Sequence, residues 1–312
     1  MTDVAEIEAI TALVEEIVGL RPQILASKTS LEATATTIRQ DDFPSAVAYH
    51  QRALCVRVFS DALGKCQILV ETNLRVIETL GVLALTRYLF ELLVQLKELD
   101  ADPRQAIELF VQISEGQESH LLDHEKKLRS EAAFFRELQE QDFPWTALEL
   151  FAAPDLNSEA IAEQMEQAER AVDLKARRRF SLYGAEARFF GYGPMAHKIE
   201  TEILPAVTAR RAELRQSLAD FVQKIGQAEL DGITRNSRGN RKRSTWKERS
   251  TRVGMLEQYE FIYSFTSRLL HATPVSFVTR QQTLQGQEFR TFLDFCYVAL
   301  LDILDLAGRQ AG

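Results

Sequence analysis

With 46% hydrophobic and 26% charged residues over 312 positions, the sequence has a globular composition and excludes a wholly disordered chain. Glycine and proline together number only 22, about half of average usage, and that shortage of turn-formers points to long helices joined by few loops. The net charge of -8 conceals a strong local asymmetry, because residues 235–252 carry eight bases against one acid and leave the remainder at -15.

Taken in chain order, Val4, Ile7, Ile10, Leu13, Val14 and Ile17 recur at helical spacing, and Gly19 followed by Pro22 supplies a stop. The acidic start of the chain lacks a basic, then apolar, leader, so a cytoplasmic location is expected. From Pro44 to about Leu99 apolar residues keep the helical rhythm, which predicts two long helices with a break near Gly64. Asp102 and Pro103 form a cap and first-turn pair, opening a helix that runs to about Gln139. The segment 142–158, with two prolines, reads as an irregular connection between an N-terminal helical half, 1–141, and a C-terminal half, 159–312. Helical spacing resumes from Glu159 to about Tyr183, is interrupted by glycines and Pro194, and returns from about Ala196 to Leu230. After the basic segment, helices are expected over about Thr251 to Ala272 and Thr279 to Gly308. The fold class predicted is therefore all-α, a multi-helix bundle of long helices, as one elongated domain or two helical subdomains.

Two apolar runs, Leu80 to Leu96 and the stretch from Phe292, are broken by charges, and neither reads as a membrane span. Cys55, Cys66 and Cys296 are odd in number and widely spaced, which favours buried free thiols over disulfides or a zinc site. His120 and His124 stand four apart and could ligate a metal, but their strongly polar surroundings favour a solvated face. No phosphate loop, nucleophile elbow, zincin motif or dinucleotide fingerprint is present, so no cofactor is expected.

Tyr263, Ser267 and His271 follow one another at four-residue intervals, a ladder along one helical stripe. Imidazole suits proton transfer near neutral pH, whereas the plainer reading is a satisfied structural histidine. Arg87 and Glu91 stand one turn apart inside the apolar run LGVLALTRYLFELLVQL. Charges there need partners, and the 263/267/271 stripe is the outstanding supplier.

The pattern Arg87-Tyr-Leu-Phe-Glu91, followed by Trp246 and then by Tyr263, Ser267 and His271, resembles a widespread group of uncharacterised bacterial helical proteins grouped as a domain of unknown function. In that group an R-x-x-x-E helix and a Y-x-x-x-S-x-x-x-H helix recur, and the resemblance covers roughly Leu69 to Ser276. It implies that these five residues belong together without naming a reaction. A looser similarity is to HEPN-type helical ribonucleases, whose motif places an Arg four to six residues before a His. Here Arg268 precedes His271 by only two intervening residues.

The basic run contributes Arg235, Arg238, Arg241, Lys242, Arg243, Lys247, Arg249 and Arg252, with Trp246 as a stacking face. As an unstructured segment it could bind nucleic acid or another polyanion, or neutralise an acidic surface. Lys175, Arg177, Arg178 and Arg179 with Phe180 and Tyr183 form a second basic and aromatic cluster. Two functions are expected. The first is a helical binding or regulatory protein of a bacterial stress or defence system, with a buried Arg/Glu/Tyr/Ser/His network. The second is a metal-independent ribonuclease or toxin-like effector in which His271 exchanges the proton, Arg87 stabilises phosphate charge and Glu91 orients Arg87. Whether the chain is an enzyme is left open, as are a protein partner and self-association.

Overall fold

A computed structural model describes residues 4–74, 78–142, 158–234, 244–270 and 284–312. The protein is all-α, with no strand among the described residues. Two compact units divide the chain: unit 1 combines 1–110 with 222–312, and unit 2 is the contiguous stretch 111–221. This division differs from a boundary at 142–158, of which 143–157 lies outside the described residues. The ends of the chain share one core, so helices remote in sequence meet in unit 1.

Unit 1 begins with α1 (Val4–Gly19) and α2 (Arg21–Thr37). Pro22 does not merely stop α1; it sits in the first turn of α2, where its missing N–H has no carbonyl to serve. The helix α3 (Ala46–Ile68) starts at Ser45, whose hydroxyl accepts from the Ala48 N–H, and passes straight through Gly64. It ends instead in a π-helical turn over Leu69–Asn73, before α4 (Thr79–Ala101). One glycine costs a helix only about 1 kcal/mol, which burial of Phe59, Leu63 and Cys66 on the same helix outweighs.

Helix α4 buries Leu83, Leu89, Phe90, Leu93, Val94 and Leu96. By length and hydropathy alone it could cross a membrane, but 56% of its apolar window is buried in the protein, which accounts for its composition. Its main neighbours come from the far end of the sequence: α11 (Trp246–Arg252), α12 (Leu256–Leu270) and α13 (Gly286–Ala311), numbered after the helices of unit 2 and α10 below. Phe292, Cys296, Ala299, Ile303 and Leu306 on α13 recur at three- and four-residue steps and turn one stripe into the core. The last turn of α13 is also fastened to three helices. Arg52 of α3 donates to the Gln310 side chain and carbonyl, Thr34 of α2 donates to the Ala311 carbonyl, and Asp100 of α4 pairs with Arg309.

Unit 2 contains most of α5 (Gln105–Asp142), then α6 (Ser158–Arg178), α7 (Gly184–Phe190), α8 (Tyr192–Lys198) and α9 (Leu204–Ile225). The 38 residues of α5 extend for about 57 Å at a rise of 1.5 Å. Asp102 does not cap it directly, since α4 ends there and the helix begins three residues later; its carboxylate instead accepts from the Arg104 N–H. Glu118 pairs with Arg215, Glu125 with Arg211 and Arg136 with Glu200. Numbers rise along α5 as they fall along the returning helix, so the two run antiparallel. Leu128, Phe135, Leu138, Tyr192, Met195 and Ile199 fill the space between them. A short helix, α10 (Gln227–Thr234), follows Gly226, whose φ of 90° is open to glycine at little cost.

Candidate functional site

The helix α12 enters through a turn that its sequence encodes. Gly254, at φ 72°, ends α11; its N–H reaches the Thr251 carbonyl, and the Met255 N–H reaches that of Ser250 at 2.7 Å. These paired bonds form a Schellman motif, which turns the chain so that α12 lies along α4. The single helix expected over 251–272 is therefore two, broken at 253–255.

On α12, Tyr259 and Tyr263 stack one turn apart with ring centroids at 5.0 Å, and Tyr259 also lies near Phe90 of α4. The Arg87 guanidinium of α4 covers the Tyr263 ring at 4.2 Å and donates through Nε to Glu91 at 3.1 Å. Sequence reasoning thus placed the right two helices together at Arg87, Glu91 and Tyr263. Arg87 and Glu91 are half-buried rather than fully enclosed. Burial works against the Arg87 charge, but its hydrogen bond to Glu91 and the nearby Tyr263 oxygen outweigh that cost and hold its pKa above the ordinary value. Ser267 lies on the described backbone of α12, while its side chain and all of His271 lie outside the described residues, as does Arg268's side chain. Tyr259 belongs to the same stripe and was missed, although a Y-x-x-x-Y step was its visible signal.

The basic run divides into two parts. Residues 235–243, with Arg235, Arg238, Arg241, Lys242 and Arg243, lie outside the described residues. The remainder is not an unstructured segment: α11 starts in a capping box, Thr245 accepting from the Glu248 N–H and Glu248 from that of Thr245. Arg249 and Arg252, three apart on this helix, both close on Glu98 of α4, which is only 4% exposed. Arg249 donates to one oxygen at 2.7 Å, and Arg252 to the other at 2.6 Å. The Arg249 guanidinium also covers the Trp246 ring at 4.4 Å, and Trp246 packs on the core of unit 1. A carboxylate thus already holds the Arg249 guanidinium, and that guanidinium lies over the Trp246 ring. Lys247, exposed, reaches Glu260 at 3.4 Å, a surface pair of little energetic consequence. Glu98 was missed because its acid ends a long apolar helix far from the run it neutralises.

The three cysteines are free and buried, and burial raises Cys55 to about 11 and Cys66 and Cys296 to about 12. None is poised as a nucleophile. His120 is exposed on α5 and His124 half-exposed, and no group of three metal-binding side chains occurs among the described residues.

Comparison with protein-family models, curated proteins and solved structures finds no match to this chain.

Proposed function

We propose that this chain is a helical binding protein of regulatory type, in which Arg87, Glu91 and Tyr263 fix the register of α4 against α12 and the segment 235–243 takes a polyanion. The observation that carries this reading is the engagement of Arg87: its guanidinium faces the Tyr263 ring and its Nε is bonded to Glu91, so both its face and its charge already have partners. The twin clasp on Glu98 supports the second half of the proposal. It anchors α11 to α4, and Arg252 reaches back to Ser244 at 3.0 Å, so the basic segment leaves from a held point. Five bases and no acid in nine residues then suit phosphate oxygens through counterion release.

Fluorescence anisotropy with labelled single-stranded RNA over a salt series tests this. Replacing Arg241, Lys242 and Arg243 by Gln is expected to lower the slope of log affinity against log salt by about 2; an unchanged slope would reject the segment as the contact. The ribonuclease reading rests on the approach of α4 and α12 that brings Arg87 to Tyr263. Incubation of the same RNA with the parent and with His271→Ala and Arg87→Ala decides it: cleavage by the parent, lost in both variants while each still unfolds cooperatively with parental helical content, would replace the binding reading.

A further inference from the structure

The end of α6 carries a residue that the backbone resists. The Ser181 N–H bonds the Ala176 carbonyl and the Phe180 N–H that of Arg177, a Schellman motif with Phe180 at the position glycine normally holds. Phe180 adopts φ 51° there, a conformation that crowds its Cβ against the backbone. Nothing is gained in packing, because Phe180 is 87% exposed. An aromatic side chain kept in a strained turn and left in water calls for a role outside the fold.

Its neighbours share the exposure. On α7, Phe189 and Phe190 are 83% and 65% exposed, and Leu182 in the connecting turn is 50% exposed. Arg188 holds α7 to Asp173 of α6, and buried Glu131 of α5 accepts from Ser181 Oγ and from the Tyr183 N–H, so the turn is a built surface. Residues 175–190 hold five bases and one acid, Glu186, within an acidic protein. Lys175 pairs with Glu137, and Arg179 covers Phe134, but Arg177 and Arg178 are exposed with no ion pair among the described residues.

We propose that this turn docks on an anionic lipid bilayer, with Phe180, Leu182, Phe189 and Phe190 entering the interface and Arg177 and Arg178 meeting lipid phosphates. Large apolar side chains rimmed by arginine are the chemistry that such a surface recognises. Stacked nucleic-acid bases fit less well: Phe189 and Phe190 stand edge to face at 82°, which gives no parallel platform, and Leu182 has no ring. A second copy meeting the same face is opposed by its like charge. This contact lies on the surface and requires no spanning helix.

Co-sedimentation of the full chain with vesicles of equal parts phosphatidylglycerol and phosphatidylcholine, against phosphatidylcholine alone, tests the proposal. The parent should bind the anionic vesicles at least about tenfold more tightly. Phe180→Gly is the informative variant, because relief of the strained turn should raise the melting temperature by about 2–4 °C while vesicle affinity falls. Phe189→Ser with Phe190→Ser should weaken binding by about tenfold or more, and Arg177→Gln with Arg178→Gln should flatten its salt dependence. Absence of vesicle binding by the parent, or binding indifferent to the phenylalanines, overturns the proposal. So does loss of RNA binding or of self-association in the phenylalanine variants while vesicle binding persists.

Discussion

Arg87 carries two interactions of different kinds, and substitution can separate them. Tyr263→Phe keeps the ring face and removes only the hydroxyl, so it should cost under about 1 kcal/mol, whereas Tyr263→Leu and Arg87→Met each remove the cation–π contact and should cost about 1–2 kcal/mol. Denaturant unfolding of the two single variants and the double should return a coupling energy of about 1 kcal/mol; additive losses would mean that the guanidinium and ring merely lie near each other. Arg87, Glu91 and Tyr263 were legible in the sequence because a charged pair inside an apolar helix must find polar company. The rest of the stripe was legible only as spacing. Glu98 was not legible, since an acid in the last turn of an apolar helix looks like an ordinary solvated end; the three-residue step from Arg249 to Arg252 was the trace it left.

Among the elements, α11 depends on that carboxylate more than on its own seven residues, which are too few to hold a helix in water. Glu98→Ala removes the partner of both arginines and should cost about 3 kcal/mol, with α11 losing order. Glu98→Gln keeps the shape but gives up the charge, and should fall between parent and alanine. Hydrogen exchange over 244–252 reads the outcome, and unchanged protection in Glu98→Ala would show that Trp246 alone seats the helix. Helices with a single apolar stripe, such as α1 and α13, were foreseen because the 3.6-residue period is written into them. The helix over 21–37 is masked in the sequence, because Pro22 after Gly19 reads as a stop although proline is tolerated in a first turn. The break falls at Leu69–Asn73 rather than at Gly64 for a related reason: packing of a buried face overrides one weak helix former.

For the whole molecule, the decisive feature is that unit 1 is built from both ends of the chain while unit 2 is contiguous. A fragment spanning 111–221 should show helical circular dichroism and a cooperative melt, since its core of Phe135, Tyr192, Met195 and Ile199 is complete within it. A fragment ending at 221 lacks α12 and α13 and leaves the apolar faces of α3 and α4 bare. It should bind a hydrophobic dye and aggregate, and a soluble, dye-silent fragment would contradict the shared core. Fold class could be read from composition, but this interleaving could not, because helical periodicity records which face is buried and says nothing of which helix covers it.

Interleaving also sets a clock. On a ribosome, α2 and α3 can pack on each other as they emerge, but α4 waits for α11, α12 and α13, while the intervening segment has its own core. The 91 residues from 222 to 312 must then be added, about 5–20 s of synthesis at ordinary rates. During that interval the nascent chain holds α4, long and apolar enough to cross a membrane, without the helices that will cover it.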